Sequence, residues 1–308
     1  MDRISVIVPC FNEEKVMHLF YTELKLVMKR MITTEFEIIF IDDGSKDKTL
    51  QLIKALKEKD NRIRYISFSK NFGKEAAIFA GLENSTGNYA VIMDADLQDP
   101  PHLLAKMYEC LQKEDYDSVA ARRVTRKGEP KLRSFFARRF YHLMSHISKA
   151  DVVDGARDFR LMKRQMVDAI VNMREYNRFS KGIFGWVGFK TKWLDYENVE
   201  RAAGETKWSF RKLLFYSFDG IVAFSTIPLG IASFSGLFLC IVAFIGIIVV
   251  LIRHFAGVKS AYGWSSTACI ILFLSGFQLF CMGVLGQYVA KTYLEVKNRP
   301  IYIVKEQG

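Results

Sequence analysis

The first loop of this chain lacks the residue that a phosphate-binding loop depends on. "VPCFNEE" (8–14) follows the first apolar run and contains no glycine. A dinucleotide fold needs G-x-G-x-x-G at that point, so that the backbone can approach a pyrophosphate. A P-loop is also absent. Any phosphate held here must be neutralised by something other than a glycine loop. The 5 cysteines, Cys10, Cys110, Cys240, Cys269 and Cys281, include no C-x-x-C pair. That pattern excludes a disulfide framework and a zinc site, and fits reduced thiols. The N-terminus enters "ISVIVP" with no basic segment ahead of a short apolar one. No secretory leader is therefore expected, and residues 1–219 are expected to stay in the cytosol.

Charge is missing altogether from two long stretches, Gly220 to Ile252 and Ser260 to Ala290, which Arg253, His254 and Lys259 separate. A helix needs roughly 20 apolar residues to cross the hydrocarbon core. Two transmembrane helices are expected, near 227–252 and 264–290. The alternative is a pair of buried core helices, which seldom stay uncharged for so long. Lys207, Arg211 and Lys212 precede the first stretch, and Lys291, Lys297, Arg299 and Lys305 follow the second. Positive charge on the inner side then predicts a multi-pass protein of the plasma (inner) membrane, with the globular part and both termini cytoplasmic. The net charge of +11 points to an anionic partner, either nucleic acid or an anionic lipid surface, and the spans favour the bilayer.

What the chain does contain is a regular alternation. Strand-like runs "ISVIVP", "FEIIFI" (36–41), "RYISFS" (64–69), "YAVIM" (89–93) and "DSVAA" (117–121) are mainly apolar. Helical stretches near 13–30, 46–59, 74–84 and 101–113 lie between them. Continuous apolar strands alternating with helices predict an α/β domain with a mostly parallel sheet covered on both faces. Ligands bind such sheets beyond the carboxyl ends of the strands. Residues 1–205 are assigned to this domain, 206–226 to a juxtamembrane amphipathic helix, and 227–308 to the two spans and a cytosolic tail. Residues 122–149 interleave arginine and lysine with Phe135, Phe136, Phe140, Tyr141, Leu143 and Met144. They read as a basic amphipathic helix lying on an anionic surface. Nucleic acid is the rival partner for such a patch, and the adjacent spans argue against it.

The loops at the carboxyl ends carry the chemistry. "IDDGSKD" (41–47), "SKNFGKE" (69–75) and "DADLQDPP" (94–101) end the second, third and fourth strands. Asp94, Asp96 and Asp99 form a knot of like charge at the end of a buried strand. Taken alone, such a knot is a solvated turn, with Pro101 opening the next helix. Together with the aspartates of the second loop, it reads as a site for a hard divalent cation, Mg²⁺ or Mn²⁺. Asp94 and Asp96 would be ligands and Gln98 a further oxygen, with the ion bridging to a diphosphate.

In order, "IVPCFNEE", "IDDGSKDKT", "NFGKEAAIFAGL", "MDADLQDPP", "RDFRLM" and "RAAGETKWS" resemble the family-two glycosyltransferases of the GT-A fold, and within them the polyprenyl-phosphate (GtrB-like) group. The resemblance covers nearly the whole chain. It implies that Pro9, Phe11 and Glu13, then Ile41 and Asp43, contact the nucleotide, and that Ala95 lies in the same site between the metal-binding Asp94 and Asp96. It implies that Arg201 and Lys207 bind the donor diphosphate, and that Arg122 and Arg133 meet the acceptor phosphate. Without the motif order, these basic residues are ordinary surface charge. Asp158, where the dolichyl branch usually has a small hydroxyl residue, follows the GtrB-like pattern and is a third candidate catalytic carboxylate. The Q-x-x-R-W motif of processive synthases is absent. The activity implied is inverting transfer of one sugar, glucose or N-acetylglucosamine, from a UDP-sugar to undecaprenyl phosphate. A glycolipid synthase acting on a lipid hydroxyl, and a non-catalytic membrane-tethered nucleotide-sugar binder, are the alternatives. Gly276, Gly283 and Gly286 in the second span could pack helices closely in a homo-oligomer.

Overall fold

In a computed structural model of the chain, residues 1–124, 155–197, 222, 225–256 and 263–308 are described. They fall into two compact units, Met1–Gly220 with Arg299–Gly308, and Ile221–Asn298.

The first unit is built on one mixed sheet. Its strands are β1 (Asp2–Cys10), β2 (Thr34–Asp42), β3 (Ile63–Phe68), β4 (Tyr89–Ile92), β5 (Ser118–Arg123), β6 (Ala156–Lys163), β7 (Thr191–Tyr196) and β8 (Val304–Gln307), in the order β7-β5-β6-β4-β1-β2-β3-β8. The helices are α1 (Met17–Arg30), α2 (Thr49–Lys59), α3 (Lys74–Glu83), α4 (Leu103–Lys113), α5 (Arg164–Asn172) and α6 (Ser180–Trp186). The predicted β/α alternation is present in the first half. β1 pairs in parallel with β2 and β4, and β2 with β3. Alternate residues of β2 go to opposite faces: Ile38 and Phe40 join one core cluster, and Ile39 and Ile41 the other. On the first face, α1 buries Met17, Phe20, Leu24, Val27 and Met28, the spacing of one helical stripe. On the other face α3 is buried from Ala76 to Leu82. A Cβ at Gly81 would stand 2.1 Å from Ile7 Cγ2, so glycine is what lets α3 lie flat on β1.

The structure departs from the sequence expectation in three places. Helices α1 and α2 start at Met17 and Thr49, later than the predicted 13 and 46. The reason is competition for backbone donors. Glu13 and Glu14 give their N–H groups to Thr49 Oγ1 (2.8 Å) and Asp47 Oδ2 (3.2 Å). Lys46 and Lys48 give theirs to Asn12 Oδ1 (2.8 Å) and Glu14 Oε2 (3.0 Å). These side-chain acceptors hold both segments as loops. Second, β6, which is not among the expected strands, enters antiparallel between β4 and β5, while the sheet remains mostly parallel as expected. Third, the expected tail is structured. β8 pairs antiparallel with β3, and Gly308 exchanges two backbone bonds with Tyr65, at 2.8 and 3.0 Å.

The second unit holds α7 (Ile227–Phe255) and α8 (Trp264–Val296). Both are long and apolar enough to cross a membrane, with mean hydropathy 2.3 over Ile227–Gly246 and 1.3 over Phe273–Val296. Helix α8 outruns its predicted end at 290 because 291–296 contains neither glycine nor proline. It stops where Asn298 takes φ 46° and Pro300 follows. Phe234, Phe238 and Phe244 are 76 %, 64 % and 65 % exposed, which in water would be an aggregation hazard. The expected amphipathic segments at 122–149 and 206–226 lie almost wholly outside the described residues.

Tyr302 is the anchor of the C-terminal strand. Its ring stacks on Phe68 at 4.9 Å and its hydroxyl donates to Glu83 Oε2 at 2.6 Å. Tyr302→Ala should therefore destabilise the first unit by about 2 kcal/mol, from lost burial and an aromatic pair. The check is thermal melting of the detergent-solubilised chain, with an unchanged Tm counting against the anchor role.

Candidate active site

The carboxyl ends of β1, β2, β3 and β4 lie along one edge, and three loops are laced together there. The β1–α1 loop is bound to the β2–α2 loop by the bonds just given and by Asn12 N–H to Ser45 Oγ (3.0 Å). The β2–α2 loop is in turn bound to the β3–α3 loop. Ser67 Oγ donates to Asp42 Oδ2 (2.7 Å), and Phe72 N–H donates to Asp43 Oδ1 (2.6 Å). A Cβ at Gly44, which has φ +66°, would meet the Lys70 carbonyl carbon at 2.6 Å. Of the three non-glycine residues with positive φ among the described residues, Asn12 (55°) lies in the first of these loops and Leu97 (58°) in the loop that follows β4. Held there by their surroundings, such residues typically mark functional loops.

Among the residues expected to contact the nucleotide, Pro9 pairs with Ile41 across β1 and β2. Phe11 and Glu13 are half-buried in the first loop. Asp43 is only 3 % exposed. Its carboxylate accepts the N–H groups of Phe72 and Gly73, the latter at 3.0 Å, so it shapes the loop that precedes α3. Burial pushes its carboxyl up to about 6, against the two backbone donors and with help from neighbouring Asp42.

The fourth edge loop carries the carboxylates. β4 ends at Ile92, opposite Arg160 of β6. Continuing that antiparallel register, in which one strand steps up as the other steps down, sets Asp94 opposite Asp158. Like charges facing each other across strands are destabilising. A cation resolves the conflict. Lys74, the first residue of α3, places Nζ 2.8 Å from each Asp94 oxygen and 2.6 Å from Asp158 Oδ2. Burial alone would push the Asp158 carboxyl up, but Lys74, Lys181 and Arg157 together hold it well below the usual carboxylate range. Burial would likewise depress the Lys74 ammonium, and Asp158 and Asp94 instead hold it well above its ordinary value. Ala95 is buried at 2 %, and the Asp96 carboxylate accepts the N–H of Gln98 at 3.1 Å.

Arg157, Tyr196 and Lys74 also fix this loop, the first two through Asp99, and the motif reading gave none of the three a role. Asp99 is buried; its Oδ1 accepts Arg157 Nε at 2.9 Å and the Tyr196 hydroxyl at 2.5 Å. Arg157 Nη2 also reaches Gln98 Oε1 at 3.4 Å. Arg157 precedes Asp158 in "RDFRLM", so the signal was in a motif already singled out. Lys74 lay in the quoted "NFGKE". Nothing in the sequence marked Tyr196.

Arg122, expected near the acceptor, sits at the end of β5 and pairs with Asp195 of β7 at 3.3 Å. Arg133, Arg201 and Lys207 lie outside the described residues. No cluster of three or more His, Cys, Asp or Glu side chains forms a metal site among the described residues. Two carboxylates and an ammonium held between carboxylate oxygens nevertheless fit a hard cation that takes one or two carboxylates and completes its shell with phosphate and water.

Residues 5–171 match the glycosyl transferase family 2. The chain belongs to glycosyltransferase family 2, whose GT-A fold the sheet adopts, and it is an enzyme of the hexosyltransferase type. A prophage bactoprenol glucosyl transferase homolog of Escherichia coli K12 is 42 % identical over 307 residues, covering 98 % of this chain and 98 % of that protein. The bactoprenol glucosyl transferase of Shigella phage SfII is 40 % identical, covering 99 % and 98 %. A crystal structure of glucosyl-3-phosphoglycerate synthase from Mycobacterium tuberculosis, in complex with Mn²⁺, UDP-glucose and phosphoglyceric acid, superposes with TM-score 0.47 at 18 % identity, over 72 % of this chain and 78 % of that one.

The elevated Asp43 carboxyl gives a testable sign. Unfolded, an aspartate titrates near about 3.9. Folded, it binds its proton more tightly, so its contribution to stability is full at low pH and is lost as pH rises from about 4 through about 6. Asp43→Asn should remove that component. The melting temperature of the variant, relative to wild type, should rise between pH 4.5 and pH 7. A difference independent of pH would show that Asp43 is not protonated in the folded protein near pH 5.

Proposed function

We propose that this enzyme moves a single sugar, with inversion, from a UDP-sugar to undecaprenyl or another polyprenyl phosphate at the cytoplasmic face of the plasma membrane. One observation carries the reading: Asp94 and Asp158 meet at Lys74 at the carboxyl edge of the sheet, with Asp96 in the same loop as Asp94, in a chain that also bears two apolar helices. The names of relatives matched over nearly the whole length support the lipid acceptor and favour glucose over N-acetylglucosamine.

Asp94 and Asp96 would hold Mg²⁺ or Mn²⁺, whose charge would neutralise the departing diphosphate. Gln98 would join them only by giving up Arg157. The β1 and β2 loops, with Pro9, Phe11, Glu13, Ile41 and Asp43, would seat the nucleotide, and Arg201 and Lys207 would clamp the diphosphate. Arg122 and Arg133 would draw in the lipid phosphate, which attacks the anomeric carbon from the face opposite the leaving group. That phosphate oxygen is an anion at neutral pH, so no strong general base is needed. Asp158, kept ionised by Lys74, Lys181 and Arg157, suits orientation of the acceptor rather than removal of a proton. The pairing of β8 with β3 supports both termini lying on the side of the catalytic unit, as two crossings require.

The test is transfer by the purified full chain from radiolabelled nucleotide-sugars to undecaprenyl phosphate, with diacylglycerol as the competing acceptor. UDP-glucose and the lipid phosphate should give product, and product on diacylglycerol alone would overturn the reading. Asp96→Asn should lower the rate at least about 100-fold, since an amide cannot replace the lost charge. EDTA should do the same to the wild type, reversibly on adding Mn²⁺. Full activity in EDTA would remove the metal from the mechanism.

A further inference from the structure

Lys74 has so far been described only by its contacts with Asp94 and Asp158, and its position is specific. It opens α3, follows Gly73 at φ +98°, and reaches a point where two carboxylates from antiparallel neighbours face each other. Its ammonium is equidistant from both oxygens of Asp94, the way a chelated cation would be, and it touches Asp158 as well. Its side chain is 40 % exposed, while those of Asp94 and Asp158 are 20 % and 16 % exposed. The lysine is thus the more exposed partner, and the two carboxylates are the more enclosed. Asp43 helps fix the stem: it binds the N–H groups of Phe72 and Gly73 and so sets where α3 begins.

We propose that Lys74 is the resident counter-cation of the metal site: its ammonium neutralises Asp94 and Asp158 in the free enzyme and yields Asp94 when the divalent ion arrives with the nucleotide diphosphate. This rests on the metal reading above. The charge balance explains the order. Asp158 has the positive charges of Lys181 and Arg157 beside it as well as Lys74, whereas Asp94 is in direct contact with Lys74 through both of its oxygens. A divalent ion arriving alone must displace an ammonium already in contact with its first ligand. An ion arriving with a diphosphate brings anionic oxygens that can receive the displaced ammonium. Metal and nucleotide therefore bind with positive coupling, and Lys74 supplies part of it. The coupling is reciprocal, because it is a free energy shared by both ligands. Lys74 is in this sense a positioning residue: it acts through Asp94 and Asp158, and suppresses capture of a bare cation by a site built for a metal–diphosphate complex.

The experiment is Mn²⁺ titration of the full chain in detergent, read by the free-ion electron paramagnetic resonance signal, with and without UDP. Wild type should bind Mn²⁺ weakly alone and more tightly with UDP. Lys74→Met should bind Mn²⁺ alone at least about tenfold more tightly, a lower bound set by screening at a partly exposed side chain. The factor by which UDP improves Mn²⁺ binding should shrink correspondingly. Lys74→Gln, whose amide still donates to the carboxylates, should behave the same way and covers the case in which methionine is not tolerated. Lys74→Arg keeps the charge and should keep the weak binding of Mn²⁺ alone. Unchanged or weaker Mn²⁺ affinity in the neutral variants, with UDP still promoting binding in wild type, would overturn the proposal and leave Lys74 as scaffold. Failure of every protein to bind Mn²⁺ even with UDP would overturn the metal reading and this proposal together.

Discussion

The contact on which the site depends is the ammonium of Lys74 between Asp94 and Asp158. Each carboxylate is placed by the sheet. Asp94 lies where β4 runs out, and Asp158 lies near the start of β6, which runs the other way beside it. A wholly parallel sheet would put the N-terminal end of its next strand at the far edge, away from the ligand crevice. Because β6 is inserted antiparallel, its first residues arrive at the same edge as the last residues of β1 through β4. That arrangement brings Asp94 and Asp158 together, and it also creates the repulsion that the Lys74 ammonium relieves.

Lacing between loops explains why the site can be rigid without a glycine loop. The first three edge loops exchange hydrogen bonds in sequence, from Asn12 and Glu14 to Ser45 and Asp47, then from Asp42 and Asp43 to Ser67, Phe72 and Gly73. Most of these bonds use a side-chain acceptor to satisfy a backbone donor. This removes the usual cost of an irregular segment, which is unpaired backbone at a protein surface. The same bonds delay the start of α1 and α2. The loops are thus longer than propensity suggests.

Much of this was legible in the sequence. The apolar runs at 36–41, 64–69 and 89–93 could be strands in only one kind of sheet, and their ends named the loops. The uncharged stretches named both long helices, although each runs past its stretch, α7 to Phe255 and α8 to Val296, where Asn298 and Pro300 stop it. What could not be read was pairing partner and direction. "DFRLM" is apolar at alternate and adjacent positions, so periodicity could not say that it runs antiparallel between β4 and β5. Residues 304–307, "VKEQ", carry no strand signal at all. They become a strand because the edge of β3 offers unpaired N–H and C=O groups, and because Tyr302 and Lys54 supply contacts from far away in the chain. Lys74 was visible as a residue but not as a cation in the site, because its meaning depends on the β4–β6 register.

The Asp99–Arg157 pair shows how stability is subordinated to that register. Asp99 is almost wholly buried, and among the described residues its Oδ2 has no hydrogen-bond partner. Removing a carboxylate from water and leaving one oxygen unpaired is costly. Apolar residues of similar volume in place of such a pair are often neutral or stabilising. The pair therefore makes little sense as a contribution to folding. It makes sense as a device that fixes position. Tyr196, at the end of β7, and Arg157, at the start of β6, both converge on the same oxygen of Asp99, tying two strand ends to the loop that carries Asp94 and Asp96. The guanidinium beside Asp158 adds positive potential that helps keep that carboxylate charged. A hydrophobic replacement could fill the same space, but it could neither hold Asp158 ionised nor set it opposite Asp94. The buried charge is thus explained by what it does to its neighbour in the sequence.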